Sequence, residues 1–283
     1  MFPAPFTYTR ASSVADAVAM LQANPDAKII AGGHSLIPAM KIRLAMPGEL
    51  VDLRDIADFH GIEIDDDAVT IKAMTTYNEI RDNADVREIF PILAEAIHIL
   101  GDAQVRERGT LVGALAHNDP AADLTAVALA IGGSVHAVGP NGERDIALDD
   151  FFLDLWTTSL EPDEVITHVT LKRPAGASHQ AYRKFAHPAS GYAIVGVAVV
   201  ADLDGDTVSS ARVALTGATS TATRLTSVEE GIAGKSLTDE TVAEAVAGAT
   251  DGVAINGDSF APEAYRAHLV EVLARRALLG TQV

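Results

Sequence analysis

Lys28-Ile29-Ile30-Ala31-Gly32-Gly33-His34-Ser35-Leu36-Ile37-Pro38 decides how the rest of the chain is read. Ile29 and Ile30 are β-branched and follow a helix-like segment, so they read as a short buried strand. The strand runs directly into two glycines. These remove the Cβ atoms that would keep a ligand off the backbone, and they permit positive φ. Ser35 adds a hydroxyl, and successive N–H groups in such a turn can form a concave nest for an anion. Two readings follow: a turn that holds the pyrophosphate of a dinucleotide, or a tight strand-to-helix connection with no ligand.

Upstream, Ser12 and Ser13 cap a helix with Asp16 in its first turn and Val14, Val18 and Leu21 on one face. Downstream, residues 36–44 read as a short helix and residues 50–53 as a second strand, closing a small α/β unit. Residues 69–74 form a further strand, Thr76 caps a helix, and residues 90–100 are helical up to Gly101. A second glycine-bearing segment follows, Arg108-Gly109-Thr110-Leu111-Val112-Gly113-Ala114-Leu115-Ala116-His117-Asn118-Asp119-Pro120. Asp119-Pro120 reads as a helix start, with Asp123 one turn inside and the helix running to Ile131. A hairpin at Pro140-Asn141-Gly142, a strand over 165–171 and a change of texture near residue 175 come next. Beyond it lie an antiparallel hairpin around residues 202–206 and helices over 239–249 and 262–279. In the last helix Tyr265, Leu269, Val272 and Leu279 are expected on the packed face.

Composition excludes several functions. A formal net charge of -18 disfavours nucleic acid and anionic membrane surfaces. The chain has no cysteine, which removes disulfides, thiolate metal sites and protein-bound iron–sulfur clusters. The longest apolar runs are about half of the ~20 residues a membrane helix needs, and no basic-then-apolar leader opens the sequence, so a cytoplasmic protein is expected. Gly231-Ile232-Ala233-Gly234-Lys235-Ser236 resembles part of a phosphate loop. That pattern needs glycine where Glu229 stands, so the segment reads as a loop before a helix capped by Thr238. No G-x-G-x-x-G, H-E-x-x-H or G-x-S-x-G motif occurs.

The two glycine segments, in this order, resemble the two flavin loops of the FAD-binding medium subunits of molybdenum hydroxylases, the family of aerobic carbon monoxide dehydrogenase and xanthine dehydrogenase. The resemblance spans nearly the whole length, including Val51-Asp52-Leu53-Arg54 and Met74-Thr75-Thr76. It implies an α+β protein. A two-part α/β FAD-binding domain of the PCMH (vanillyl-alcohol-oxidase-like) type would occupy residues 1–175, with subdomains of about 1–55 and 56–175. A C-terminal domain of a three-stranded antiparallel sheet and helices would occupy residues 176–283.

By the same resemblance, Ile30, Ala31, Gly32, Gly33, His34, Ser35 and Leu36 wrap the FAD pyrophosphate. Thr110, Gly113, Ala114 and His117 approach from the other side, and Asp123 accepts hydrogen bonds from the cofactor's hydroxyls. Leu100 and Ile166 are apolar contacts, Lys184 is a cation near the flavin, and Tyr192 lies beside the isoalloxazine. The second segment departs from the family's T-I-G-G-[NS]: Val112 replaces a glycine and Ala114 a polar residue. A β-branched side chain disfavours positive φ, so the path there either differs or needs no such conformation. His117, Asn118 and Asp119 are candidates to supply the lost hydrogen bonds.

The implied function is electron transfer through FAD, with no catalytic residue and no metal of its own. The chain would sit with a molybdenum-cofactor large subunit and a [2Fe–2S] small subunit, in a heterotrimer or a dimer of heterotrimers. Two alternatives stay open on the residues alone: a stand-alone FAD oxidoreductase, and a flavin-free nucleotide-binding or interaction subunit on the same fold.

Overall fold

A computed structural model describes residues 2–281. The first unit is β1 (Thr7–Arg10), α1 (Val14–Ala23), β2 (Ala27–Ile30), α2 (Leu36–Lys41) and β3 (Glu49–Asp52), with a parallel sheet ordered β1-β3-β2. Strand β1 is too short and polar to read from sequence. Ser13 caps α1 by accepting from the Asp16 amide at 3.1 Å, and Ala17, Val18 and Leu21 are buried beneath it. Helix α2 stops at Lys41, earlier than expected, where Arg43 takes a left-handed φ of 60°.

The second unit begins with β4 (Ile62–Ile64) and β5 (Ala68–Lys72). Six helices then leave the sheet: α3 (Tyr77–Asp82), α4 (Ala84–Ile89), α5 (Pro91–His98), α6 (Ala103–Arg108), α7 (Leu111–His117) and α8 (Asp123–Ile131). The chain returns through β6 (Gly133–Gly139), β7 (Gly142–Ala147), α9 (Leu148–Phe151), the ribbon β8 (Phe152–Asp154) and β9 (Thr157–Thr158), and β10 (Val165–Lys172). The resulting sheet is antiparallel throughout, in the order β4-β5-β10-β6-β7.

The start of α8 corrects the sequence reading. The helix begins at Asp123, not at Asp119-Pro120. The Asp119 carboxylate accepts from the Ala121 amide at 2.8 Å, folding a turn of its own. The carbonyls of Pro120 and Ala122 are taken by the Thr216 hydroxyl at 2.8 and 3.0 Å, so this stretch is pinned to a distant strand rather than wound into the helix.

The last unit holds β11 (Ser178–Ala186), β12 (Ala193–Asp204), β13 (Thr207–Thr216), β14 (Thr223–Arg224), α10 (Thr226–Ile232), α11 (Asp239–Val246) and α12 (Glu263–Leu278). Its antiparallel sheet has four strands, not three, because Thr223 and Arg224 pair with Leu215 and Ala214. A two-residue strand carries too little alternation to be read in advance. The packed face of α12 is also corrected. Arg266, Leu269, Val270, Leu273, Ala274 and Ala277 are buried, whereas Tyr265 is 41% exposed and Val272 half-buried.

Strand alternation gives this sheet two apolar faces. Ala181, Val197, Val199, Val213 and Leu215 join the core under α10–α12, while Tyr182, Ala198 and Ala214 join the core of the preceding units. Helix α8 lies against that second face, packed on β12 and β13 as well as on α5 and α7. All nine of its residues are buried. A helix that is apolar all round belongs inside a protein, and here only its first turn brings a carboxylate into the interior.

Candidate cofactor site

The first glycine segment leaves the end of β2 and turns into α2, with Gly33 at φ 75°. A Cβ on Gly32 would lie 2.1 Å from the Arg108 carbonyl oxygen and 2.8 Å from the Gly109 Cα, so this glycine rests directly on the second segment. A Cβ on Gly113 would lie 3.8 Å from that of Ala31. The two side-chain-poor segments therefore converge. Among the described residues, the backbone N–H groups of Gly32, Gly33, His34, Ser35 and Leu36 donate to no protein acceptor. The Ser35 hydroxyl makes no cap bond either. His34 is exposed, and its backbone is what it contributes to the bend. Ile30 is buried at the strand end, and Ala31 and Leu36 are half-buried.

The second segment is not a loop but the start of a helix. Thr110 caps α7, its hydroxyl accepting from the Gly113 amide at 3.0 Å, and the Ala114 amide donates to the Thr110 carbonyl at 3.1 Å. Val112 is an ordinary buried helical residue with no positive φ, which answers the departure from the family pattern: no glycine is required there. His117 ends the helix 4.0 Å from Asp119. Asn118 cannot replace lost hydrogen bonds to a ligand. Its amide donates to Asp154 and Thr157 at 2.9 Å each, and its oxygen accepts from the Thr221 hydroxyl at 2.8 Å.

Asp123 lies at the first position of α8, where a carboxylate is favoured by the helix dipole. It is buried, and both its oxygens have partners. Tyr182 donates to Oδ1 at 2.5 Å and Lys184 to Oδ2 at 3.0 Å. Burial pushes the Asp123 carboxyl up, and Lys184 and Tyr182 pull against it. Lys184 is not the free cation that the sequence suggests. Its ammonium also reaches the carbonyls of Gly191 at 3.0 Å and Ile99 at 3.4 Å, so its three donors are engaged. The first of these carbonyls precedes Tyr192, 46% exposed in the turn between β11 and β12; the second precedes the half-buried Leu100.

Burial raises the Tyr192 phenol, with Asp119 and Asp123 adding to the effect. Ile166 is buried in β10, the strand against which α7 packs. Sequence reasoning passed over Tyr77, whose ring is what a Cβ on Gly109 would strike at 2.4 Å, and Tyr182. The only local clue to Tyr182 is its spacing of two from Lys184, which puts both on one face of β11.

Side-chain-free backbone with unpaired amides suits a phosphate-bearing ligand, and a buried carboxylate at a helix start suits a hydroxyl-bearing one. Both belong to the class of nucleotide-cofactor proteins. Residues 4–174 match the family model described as the FAD binding domain in molybdopterin dehydrogenase, and residues 180–281 match the CO dehydrogenase flavoprotein C-terminal domain. The carbon monoxide dehydrogenase medium chain of Hydrogenophaga pseudoflava is 37% identical over 280 residues, covering 98% of this chain and 97% of that one. The nicotine 6-hydroxylase medium subunit of Paenarthrobacter nicotinovorans is 34% identical over 272 residues, covering 96% and 95%. A solved structure of carbon monoxide dehydrogenase from Hydrogenophaga pseudoflava superposes with a TM-score of 0.94 at 38% identity, covering 98% and 97% of the two chains.

The chain belongs to the FAD-binding subunits of the molybdopterin dehydrogenases; it is an oxidoreductase component and its cofactor is FAD. The residues present fit that group. Five consecutive amide donors suit a pyrophosphate, and the cradle at Gly32 leaves no room for a side chain.

Proposed function

We propose that this chain is the electron-transfer flavoprotein subunit of a molybdenum hydroxylase complex resembling carbon monoxide dehydrogenase. In that reading it assembles with a molybdenum-cofactor large subunit and a [2Fe–2S] small subunit, as a heterotrimer or a dimer of heterotrimers, in the cytoplasm. When bound, FAD supplies the two-electron redox chemistry that links partner iron–sulfur clusters to an external acceptor. The division near residue 175 is taken as the domain boundary, in the connection between β10 and β11.

The observation that carries this reading is the run of unpaired amides from Gly32 to Leu36 abutting the second glycine segment. These amides and the Ser35 hydroxyl would hold the pyrophosphate. Thr110, Gly113 and Ala114 would close over it, and His117 would flank them. Asp123 keeps lone pairs beyond those used by Tyr182 and Lys184, and would accept the cofactor's hydroxyls. Leu100 and Ile166 would exclude water, Tyr192 would cover the flavin ring, and Lys184 would hold the Tyr192 turn in place through the Gly191 carbonyl.

Among the described residues no group of His, Cys, Asp and Glu could hold a metal ion, and no helix is long and apolar enough to cross a membrane. The substrate would be chosen by the large subunit. Relatives of similar identity are subunits of a carbon monoxide dehydrogenase and of a nicotine 6-hydroxylase, so this chain does not select it. Capture of the tagged chain from its host, with flavin absorbance and analysis for molybdenum and iron, tests the assignment. Flavin, iron and molybdenum in one complex are expected. A folded chain without FAD, alone or with its partners, would overturn it.

A further inference from the structure

We propose that Tyr182 is a positioning residue of the flavin site, its phenol fixing the Asp123 carboxylate so that the C-terminal sheet helps set the affinity of the N-terminal domain for FAD. This rests on the reading of Asp123 as the acceptor of the cofactor's hydroxyls. Three unrelated features converge on the contact. Helix α8 begins at the buried Asp123, the one charged residue in a helix whose other residues, Thr125 apart, are apolar. Strand β11 alternates so that Tyr182 and Lys184 share the face toward it, one on each carboxylate oxygen. Strand β12 supplies Gly196, where a Cβ would lie 2.3 Å from the Tyr182 hydroxyl and 2.9 Å from Thr216. Glycine at that point is what gives the phenol room.

The strand is also clamped on either side of the ring. Glu95 of α5 accepts from the Tyr182 amide at 2.9 Å and from Arg183 at 2.6 Å. Phenylalanine would satisfy packing alone at a site 2% exposed. A phenol placed there instead directs its hydroxyl at a carboxylate, as a charge-assisted hydrogen bond does.

Other groups facing Asp123 are Lys184 and Tyr182 on β11, Tyr77 on α3 and Tyr192 in the turn after β11, with Asp119 beyond Tyr192. Burial holds the phenols of Tyr77, Tyr182 and Tyr192 above their ordinary range, so they stay neutral. Accepting two hydroxyls requires the ionised carboxylate, so FAD affinity falls as pH drops through the Asp123 pKa. Removing the Tyr182 hydroxyl takes away a bond to the ionised form and leaves burial less opposed. The acid limb of FAD binding then moves to higher pH.

The test is an FAD titration of the full chain, together with its partner chains, across a pH series for wild type, Tyr182→Phe and Gly196→Ala. Affinity is read from the bound flavin's absorbance and fluorescence. Tyr182→Phe is expected to lose affinity on the order of tenfold near neutral pH, with its acid limb displaced upward. Gly196→Ala, which pushes the phenol away, is expected to reproduce both effects. Fluorotyrosine at position 182 keeps the ring and strengthens the donor, so it is expected to move the limb to lower pH. This arm reads the hydrogen bond even where the phenylalanine variant fails to fold. Wild-type affinity and pH profile in Tyr182→Phe, or a loss equal at every pH, would overturn the inference and leave the FAD site intact. Failure of the wild type to take up FAD would instead overturn the reading of the site itself.

Discussion

Gly32 and Gly33 stand side by side and are needed for different reasons. Gly33 needs its backbone: at φ 75° an alanine carries a left-handed penalty of about 1–2 kcal/mol, and its Cβ would meet only side-chain carbons of Ile30 and Ile37 at 3.2 Å. Gly32 needs its missing side chain. A Cβ there would overlap the Arg108 carbonyl at 2.1 Å, and main chain cannot swing aside as a side chain can. Gly32→Ala is therefore expected to separate the two glycine segments and abolish FAD retention, at a cost of about 1–3 kcal/mol or more in apoprotein stability. Gly33→Ala is expected to lower the melting temperature while keeping much of the flavin. Thermal melts of both variants, with and without added FAD, check the contrast. Equal flavin loss would mean that the close approach of Gly32 is not what the site depends on.

At the scale of elements, a short helix shows why some of this was readable and some was not. The glycine bend after β2, the cap at Thr76, the hairpin at residues 139–142 and the long β12–β13 pair all announce themselves through neighbours in sequence. Helix α7 does not, because Gly113 and the following Ala114-Leu115-Ala116 read equally as a glycine loop. Only the Thr110 cap and packing on β10 and α8 decide for helix. The start of α8 is hidden from the sequence for a related reason: Thr216, remote in sequence, claims the carbonyls that would otherwise begin it.

Within the site, the bends were legible because their chemistry is local. The Tyr182–Asp123 bond joins residues 59 apart, and its only local trace is the spacing of two between Tyr182 and Lys184. Asn118, which ends α7 at φ 46°, donates its amide to the turn of the β8–β9 ribbon and accepts from Thr221, ahead of β14, on its oxygen. Asn118→Ala is expected to cost about 2–4 kcal/mol, combining backbone strain with the loss of its hydrogen bonds to Asp154, Thr157 and Thr221. Asn118→Gly is expected to recover only the strain. Urea unfolding of the pair measures the difference, and equal stabilities would show that the left-handed turn costs nothing here.

For the whole molecule, the question is what holds the C-terminal sheet over the FAD-binding units. Apolar burial of α8 against β12 and β13 supplies most of the contact. At the far end of α8, Arg212 donates to the Leu129 carbonyl at 2.8 Å, and it also pairs with Asp149 of α9 at 2.7 Å. The buried pair Lys184–Asp123, at 3.0 Å, crosses the same boundary at the near end. Buried pairs of this kind contribute little net stability, yet removing one partner strands a charge, at a cost of about 3–5 kcal/mol.

Lys184→Met is therefore expected to destabilise the chain strongly, and adding Asp123→Asn is expected to restore most of the loss. The pH dependence fixes the sign. Burial raises the folded Asp123 carboxyl above its unfolded value, and losing the ammonium raises it further. The stability of Lys184→Met should then be greatest below the unfolded carboxylate pKa. It should fall as pH rises through the folded one, where the unpaired group must ionise. The double variant should show no such fall. Urea midpoints for wild type, both single variants and the double variant over a pH series complete the cycle. Additive losses with parallel pH curves would mean that the two halves of the molecule are joined by packing alone.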